Sequence, residues 1–114
     1  MSVIEFNSII KLDSVDSTNN YATRRLVSEH WSEGTAVVAE EQSSGKGQMK
    51  NKWESEKGKN LLVSVVLYPN FLAVYDQFEI SKVIALAVHE VVSSFVTGAK
   101  IKWPNDIYVG DKKI

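Results

Sequence analysis

The run NLLVSVVLYP, residues 60 to 69, constrains this chain more than any other stretch. It is almost continuously apolar, which fits a central strand buried on both faces, and Pro69 ends it. Upstream, IIKLDS at 9 to 14 reads as a short strand and a turn, and TAVVAEE at 35 to 41 is β-rich. Between them DSTNNYATRRLVSEH has a helical pattern. Asp16 or Ser17 is placed to cap it, Tyr21, Ala22 and Leu26 form a modest apolar face, and Gly34 marks the turn after it.

Downstream, Ile80, Val83, Ile84, Ala87, Val88, Val91, Val92 and Phe95 recur at helical spacing. Asp76 with Glu79 has the form of a capping box, and Gly98 fits a C-terminal stop. AKIKWP and DIYVGDKKI then predict two strands with a Pro104-Asn105 turn between them, and Gly110-Asp111 begins a hairpin turn. At 114 residues this is the content of one domain.

Composition narrows the function. Hydrophobic residues at 44% and charged residues at 24% mark a globular chain. A net charge of -1 argues against a general nucleic-acid binder. There is no cysteine, so disulfide and thiolate chemistry are excluded. His30 and His89 lie too far apart for a local metal motif. The first residues lack the basic start and apolar core of a signal peptide, and no apolar run approaches about 18 residues. A cytoplasmic protein without a membrane span is expected.

Three stretches carry chemistry. The loop from Gln42 to Lys59 is long, polar and centred on Gly45-Lys46-Gly47, and five lysines crowd into residues 46 to 59. It matches neither the P-loop nor the dinucleotide fingerprint. Its glycines still let backbone N–H groups approach an anion, and its lysines neutralise phosphate charge. The plainer reading is a solvated loop. The second stretch is IKWPND, where Lys102 alternates with Ile101 and Trp103 and faces opposite to them. It is either an edge lysine reaching water, as Lys100 two residues before it suggests, or a cation projecting into a cleft, with Asn105 and Asp106 orienting a ligand or holding a cation. The third, DSTNN at 16 to 20, reads first as a helix cap, and a cap is compatible with ligand contact.

Taken in order, DSTNNYA, then AEEQSSGKGQMKNKWES running into GKNLLVSVVLYP, then KIKWPNDIYVGDKKI resemble the catalytic domain of biotin–protein ligase, the ligase that biotinylates acetyl-CoA carboxylase. The resemblance runs from about Lys11 to Ile114 and rests on S-T-N, Q-x-x-G-R/K-G-x-x-x-x-x-W and K-W-P-N-D in combination. It implies an α+β domain with a mixed sheet and flanking helices, akin to the class II aminoacyl-tRNA synthetase core. It implies activation of biotin by ATP, accompanied by Mg2+, to biotinyl-5′-AMP. The biotinyl group then passes to a lysine of a biotin carboxyl carrier protein. In that scheme Lys102 and Lys46 are catalytic. Ser17, Thr18, Gln42, Lys46 and Lys102 bind biotin. Gly45, Gly47, Gln48, Trp53, Asn105 and Asp106 contact ATP or the adenylate. No metal ligand is assigned.

The chain departs from the family pattern in places. Lys46 stands where arginine is usual, keeping the charge but losing the bidentate fork. Gln48 removes another frequent cation, and Lys50 replaces a glycine. The sequence ends where the family continues into further strands and a C-terminal domain, and it has no N-terminal helix-turn-helix. Residues 1–114 therefore read as the N-terminal half of a ligase catalytic domain, with no support for DNA binding. Two alternatives stand beside this. One is a lipoate-ligase-like acyltransferase, whose R-R-x-x-G-G motif is absent here. The other is an inactive fragment whose exposed strand edges favour a homo-oligomer.

Overall fold

Seven residues from Ile9 to Val15 form β1, and seven from Ala36 to Gln42 form β2, parallel to it. In the computed structural model, residues 8–46, 52–53, 56–70, 72–73 and 76–114 are described, with Lys46, Lys52 and Trp53 described by backbone alone. The chain divides into two units, residues 1–68 and 69–114.

In the first unit β5, Leu62–Val65, runs antiparallel to β2, giving the order β1-β2-β5. The strand at the centre is therefore β2, whose Ala36, Val37 and Ala39 are buried. This corrects the expectation for residues 60 to 69. Among the described residues β5 lies at the sheet edge, with Leu62 buried and Ser64 half-buried on one face. Val63 and Val65 are exposed on the other. An apolar run does not reveal whether one face or two is covered. The strand also stops at Val65, short of Pro69, although Val66 remains pinned through its N–H to the Thr35 carbonyl at 2.9 Å.

The helix α1, Thr18–Arg25, joins β1 to β2. Ser17 is its cap, in extended backbone, and its Oγ accepts from the Asn20 N–H at 2.9 Å. Asp16 instead takes a bidentate contact from Arg24, at 2.8 and 3.1 Å, and a bond from Asn20 Nδ2. The helix is shorter than its sequence pattern. His30 adopts φ 52, and the Trp31 N–H closes on the Leu26 carbonyl at 3.0 Å. That left-handed residue ends the coil before Gly34.

The loop between β2 and β5 is not structureless. Gly45–Lys46 forms β3 and Lys52–Trp53 forms β4, paired antiparallel with Gly45 opposite Trp53 and Lys46 opposite Lys52. Its return is fastened to the sheet, because the Gly58 N–H donates to the Glu40 carbonyl at 3.0 Å.

The second unit packs α2, Phe78–Ser93, on an antiparallel sheet of β6, Ala99–Lys102, β7, Asp106–Val109, and β8, Lys112–Lys113. The turns expected at Pro104-Asn105 and Gly110-Asp111 are both present, with Gly110 at φ 63. Trp103-Pro104 is a cis peptide. The predicted capping box does not form. The helix starts at Phe78 with Gln77 as its cap, so Glu79 falls one position too early to reach back and instead pairs with Lys82 at 3.1 Å. Most of the predicted apolar stripe does not form the packed face, although Ile80 and Val92 are half-buried. Ala85 is buried, His89 and Val92 are half-buried, and His89 Nε2 bonds the Ala99 carbonyl at 2.8 Å. Val83, Val91 and Phe95 stay 63%, 61% and 82% exposed.

Candidate functional site

The parallel pairing of β1 and β2 builds the site. Val15, the last residue of β1, lies opposite Gln42, the last residue of β2. The ladder continues past both strands, with the Ser43 N–H donating to the Val15 carbonyl at 3.0 Å and the Ser44 N–H to the Asp16 carbonyl at 2.6 Å. Gln42 is thereby set beside the first turn of α1. Its Oε1 accepts twice from Thr18, from the backbone N–H at 2.8 Å and from the hydroxyl at 3.1 Å. One of the free N–H groups of a helix start is satisfied from another strand.

β5 closes the other side. Thr18 Oγ1 lies 2.6 Å from Ser64 Oγ, and Ser64 Oγ donates in turn to Asn19 Oδ1. Ser17, Thr18, Asn19, Gln42 and Ser64 form the polar part of a pocket of about 170 Å³, and Leu61, Leu62 and Val63 complete it. Ser17 and Thr18 are buried, at 1% and 3% exposure. Ser17 Oγ accepts from Asn20 and keeps its own hydrogen to donate. With Oε1 occupied, Gln42 has its Nε2 donors left over. A few fixed polar groups beside an apolar wall suit a small ligand with a polar head.

Asp16 flanks this turn. The Arg24 guanidinium, then Asn20 and the Ser17 N–H, hold its carboxyl well below the usual carboxylate range.

Of the residues singled out from sequence, Ser17, Thr18 and Gln42 are brought together. Gly45 is buried one residue past the extended ladder, and Lys46 and Trp53 belong by backbone to the ribbon that follows. Gly47 and Gln48 lie outside the described residues. Lys102, Asn105 and Asp106 belong to the second unit, at one end of the β6–β7 hairpin. Lys102 is exposed, like Lys100, with Nζ 5.9 Å from the centroid of the Tyr108 ring. Its strand partner Asp106 holds Lys113 at 3.0 Å. Asn105 is exposed in the turn. Among the described residues no three His, Asp or Glu gather to hold a metal ion.

Ser64 was not singled out from sequence, and Asn19 entered only as part of the S-T-N motif, without a role of its own. The signal for Ser64 is plain in hindsight, since it is the one hydroxyl inside LLVSVVL. A polar side chain in a buried strand needs a partner.

The class of protein follows from this fold together with its likenesses. The chain has part of the α+β catalytic fold of the biotin protein ligases, related to the class II aminoacyl-tRNA synthetases. The family model described as Biotin/lipoate A/B protein ligase family matches residues 12–114, and the chain belongs to that family. The bifunctional ligase/repressor BirA of Bacillus subtilis is 32% identical over 92% of this chain and 32% of its own length. BirA of Escherichia coli is 31% identical over 97% of this chain and 34% of its own length. Among solved structures, the biotin protein ligase of Aquifex aeolicus in complex with biotin and ATP aligns with a TM-score of 0.74 at 33% identity, over 96% of this chain and 44% of that one. The biotin protein ligase of Leishmania major in complex with biotinyl-5-AMP gives 0.76 at 29% identity, over 95% and 49%. The chain thus spans about a third of the curated relatives' length. No helix among the described residues is long and apolar enough to cross a membrane.

Proposed function

We propose that this chain is the N-terminal part of a biotin–protein ligase catalytic domain. It binds biotin and contributes to its activation by ATP. The observation that carries the reading is the pocket at the α1 cap, where Ser17, Thr18 and Gln42 converge beside an apolar wall. The hydroxyl and amide groups suit the ureido head of biotin, and Leu61, Leu62 and Val63 suit its apolar ring.

The reaction joins two anions. A biotin carboxylate oxygen bonds to the α-phosphorus of ATP, the bond to the β-phosphate oxygen breaks, and pyrophosphate leaves. Cations lower such a barrier by neutralising both partners. Lys102 and Lys46 are assigned that task. Gly45, Gly47, Gln48 and Trp53 are assigned to contact ATP or the adenylate. Asn105 and Asp106 hold its nucleotide end, with Asp106 bringing Lys113 to the same place. Magnesium enters with ATP as part of the substrate, held largely by the phosphates. A lysine amine of a biotin carboxyl carrier protein then attacks the acyl carbon, and AMP leaves. The reaction is assigned to the cytoplasm, as expected from the sequence.

The test is to incubate the chain with biotin, ATP and Mg2+ and to look for biotinyl-5′-AMP by mass spectrometry, beside a complete ligase. Product that disappears in Lys102→Ala supports the reading. Product that survives that substitution removes Lys102 from the chemistry. A folded chain that yields no adenylate and binds no biotin overturns it.

A second reading has its own observation. The apolar stripe of α2 is open at Val83, Val91 and Phe95. Such a surface favours association, with another copy of the chain or with further polypeptide, over independent catalysis.

A further inference from the structure

The ladder between β1 and β2 lapses at one point, just before the pocket. Pairing runs from Ile9–Ala36 to Leu12–Ala39, skips Asp13 and Glu40, and resumes at Ser14–Glu41 and Val15–Gln42. The backbone reverses across that gap. Before it, Ser8 turns its carbonyl to the Ala36 N–H at 3.0 Å, so the even-numbered residues of β1 face β2. After it, Val15 turns its carbonyl to the Ser43 N–H at 3.0 Å, so an odd-numbered residue does. An unbroken strand alternates and keeps one parity along its length. Exposure marks the same step, since Asp13 and Ser14 are exposed in succession between half-buried Leu12 and Val15.

The reversal decides where Gln42 points. Val37 lies opposite Ser64 and Ala39 opposite Leu62, on the face that carries α1. Continued alternation would put even-numbered Gln42 on the other face, with Val38 and the exposed Glu40. One reversal moves it to the α1 face, where it meets Thr18. Register brings Gln42 level with the helix start, and the reversal turns its side chain inward. Both members of the skipped pair are held from the returning end of the glycine-lysine loop. The Glu40 carbonyl accepts from the Gly58 N–H at 3.0 Å, and the Asp13 carboxylate takes the Lys57 ammonium at 3.4 Å. In a regular ladder that carbonyl would take the Ser14 N–H instead.

We propose that Gly58, helped by Lys57, is a positioning residue for the pocket. By drawing the Glu40 carbonyl out of the β1 ladder it holds the reversal in place and so aims Gln42. Glycine suits the task because φ at this position is 73. Without the clip the Ser14 N–H takes the Glu40 carbonyl, Gln42 turns to the opposite face, and the Thr18 N–H loses its acceptor. The amides of Ser14 and Thr18 therefore report the two arrangements in opposite senses. The consequence for the ligand rests on the biotin reading, while the geometry of the ladder stands apart from it.

Amide hydrogen exchange, followed by NMR on the full chain without ligand, is compared for wild type, Gly58→Val and Gly58→Asn. A β-branched residue is strained at positive φ, and asparagine tolerates it. Wild type is expected to exchange slowly at Gly58 and Thr18 and fast at Ser14. A Ser14 amide as slow as that of Thr18 overturns the proposal before any variant is made. In Gly58→Val, Thr18 is expected to exchange at least about tenfold faster and Ser14 at least about tenfold slower, with Gly58→Asn close to wild type. A merely structural role speeds both amides, and that outcome, or an unchanged Thr18, overturns the proposal. Gly58→Ala takes the place of Gly58→Val if the latter does not fold. In parallel, biotin is titrated calorimetrically into the same chains. Binding about tenfold weaker or more in Gly58→Val, rescued in Gly58→Asn, supports the aiming of Gln42, and equal affinities overturn it. If wild type itself binds no biotin, the biotin reading fails, and the exchange pattern still decides what holds the ladder open.

Discussion

Thr18 and Gln42 are joined twice through one atom, since the backbone N–H and the hydroxyl of Thr18 both end on Gln42 Oε1, at 2.8 and 3.1 Å. The same oxygen therefore completes a helix start and aims an amide at the pocket. Gln42→Ala leaves the buried Thr18 N–H without its partner and is expected to destabilise the chain by about 1–3 kcal/mol. Gln42→Glu keeps the acceptor but replaces the Nε2 donor with a second acceptor. It is expected to retain much more of the stability while binding biotin at least about tenfold more weakly, a loss of about 1.4 kcal/mol. Urea unfolding and titration calorimetry on both variants check the split.

Ser17 is buried, and its hydroxyl satisfies the Asn20 N–H. Ser17→Ala is expected to cost about 1 kcal/mol, and Ser17→Gly only a few tenths. Denaturant midpoints followed by circular dichroism measure both. Equal losses would show that packing of the side chain, rather than its cap bond, matters at this position.

Asp16 gives the fold a dependence on acid. Its folded carboxyl is held below the ordinary range by Arg24 first, then by Asn20 and the Ser17 N–H. For a depressed carboxylate the stabilisation is complete above the unfolded pKa, about 3.9, and is lost as pH falls through the folded value. Wild type is therefore expected to lose stability more steeply below about pH 4 than Asp16→Asn does. A series of urea midpoints from pH 6 to pH 2 tests this, and parallel curves would remove Asp16 as the source.

Gly58 fastens the returning end of the glycine-lysine loop to β2 at φ 73. A Cβ there would meet Glu40 Oε2 at 3.7 Å, an ordinary contact, so the penalty for Gly58→Ala comes from the backbone alone. A loss of about 1–2 kcal/mol is expected from the left-handed conformation. Unchanged urea midpoints would show that the loop end relaxes to another conformation without loss.

The open stripe of α2 should govern association. Val91→Lys is expected to change stability by no more than about 0.5 kcal/mol, because the side chain is already exposed. It should also shift the chain toward monomer in light scattering at micromolar concentration. A wild-type chain that is monomeric under the same conditions would remove this face as an association surface.

Much of this was legible in the sequence, for physical reasons that differ by residue. The cap was readable to within one residue, Asp16 or Ser17, because polar side chains before a helical pattern have one dominant use, and Gly110 because positive φ selects glycine, which it adopts at φ 63. Gly98, expected as the helix stop, lies beyond it, since α2 ends at Ser93 with Ser94 as its cap. The paired ends of β1 and β2 were not readable, since strand register depends on partners far along the chain. That register alone brings Gln42 to Thr18. The position of β5 was misjudged because hydrophobicity reports affinity for cover and not the number of covered faces. The stripe of α2 was read correctly as apolar, yet within its unit the helix packs through Ala85 and His89 instead. Periodicity identifies a sticky face without naming what it sticks to.

The pocket draws on three stretches of chain, residues 17–19, Gln42 and residues 61–64, which meet only when β1, β2 and β5 have all paired. No fragment of the sheet contains it. Ligand binding and assembly of this unit are therefore a single coupled equilibrium, and a ligand at a hundred times its dissociation constant adds about 2.7 kcal/mol to the folded state. For a chain with so much apolar surface in the open, a small molecule held in this pocket would double as a folding chaperone, and abundance of the folded form would then track its supply.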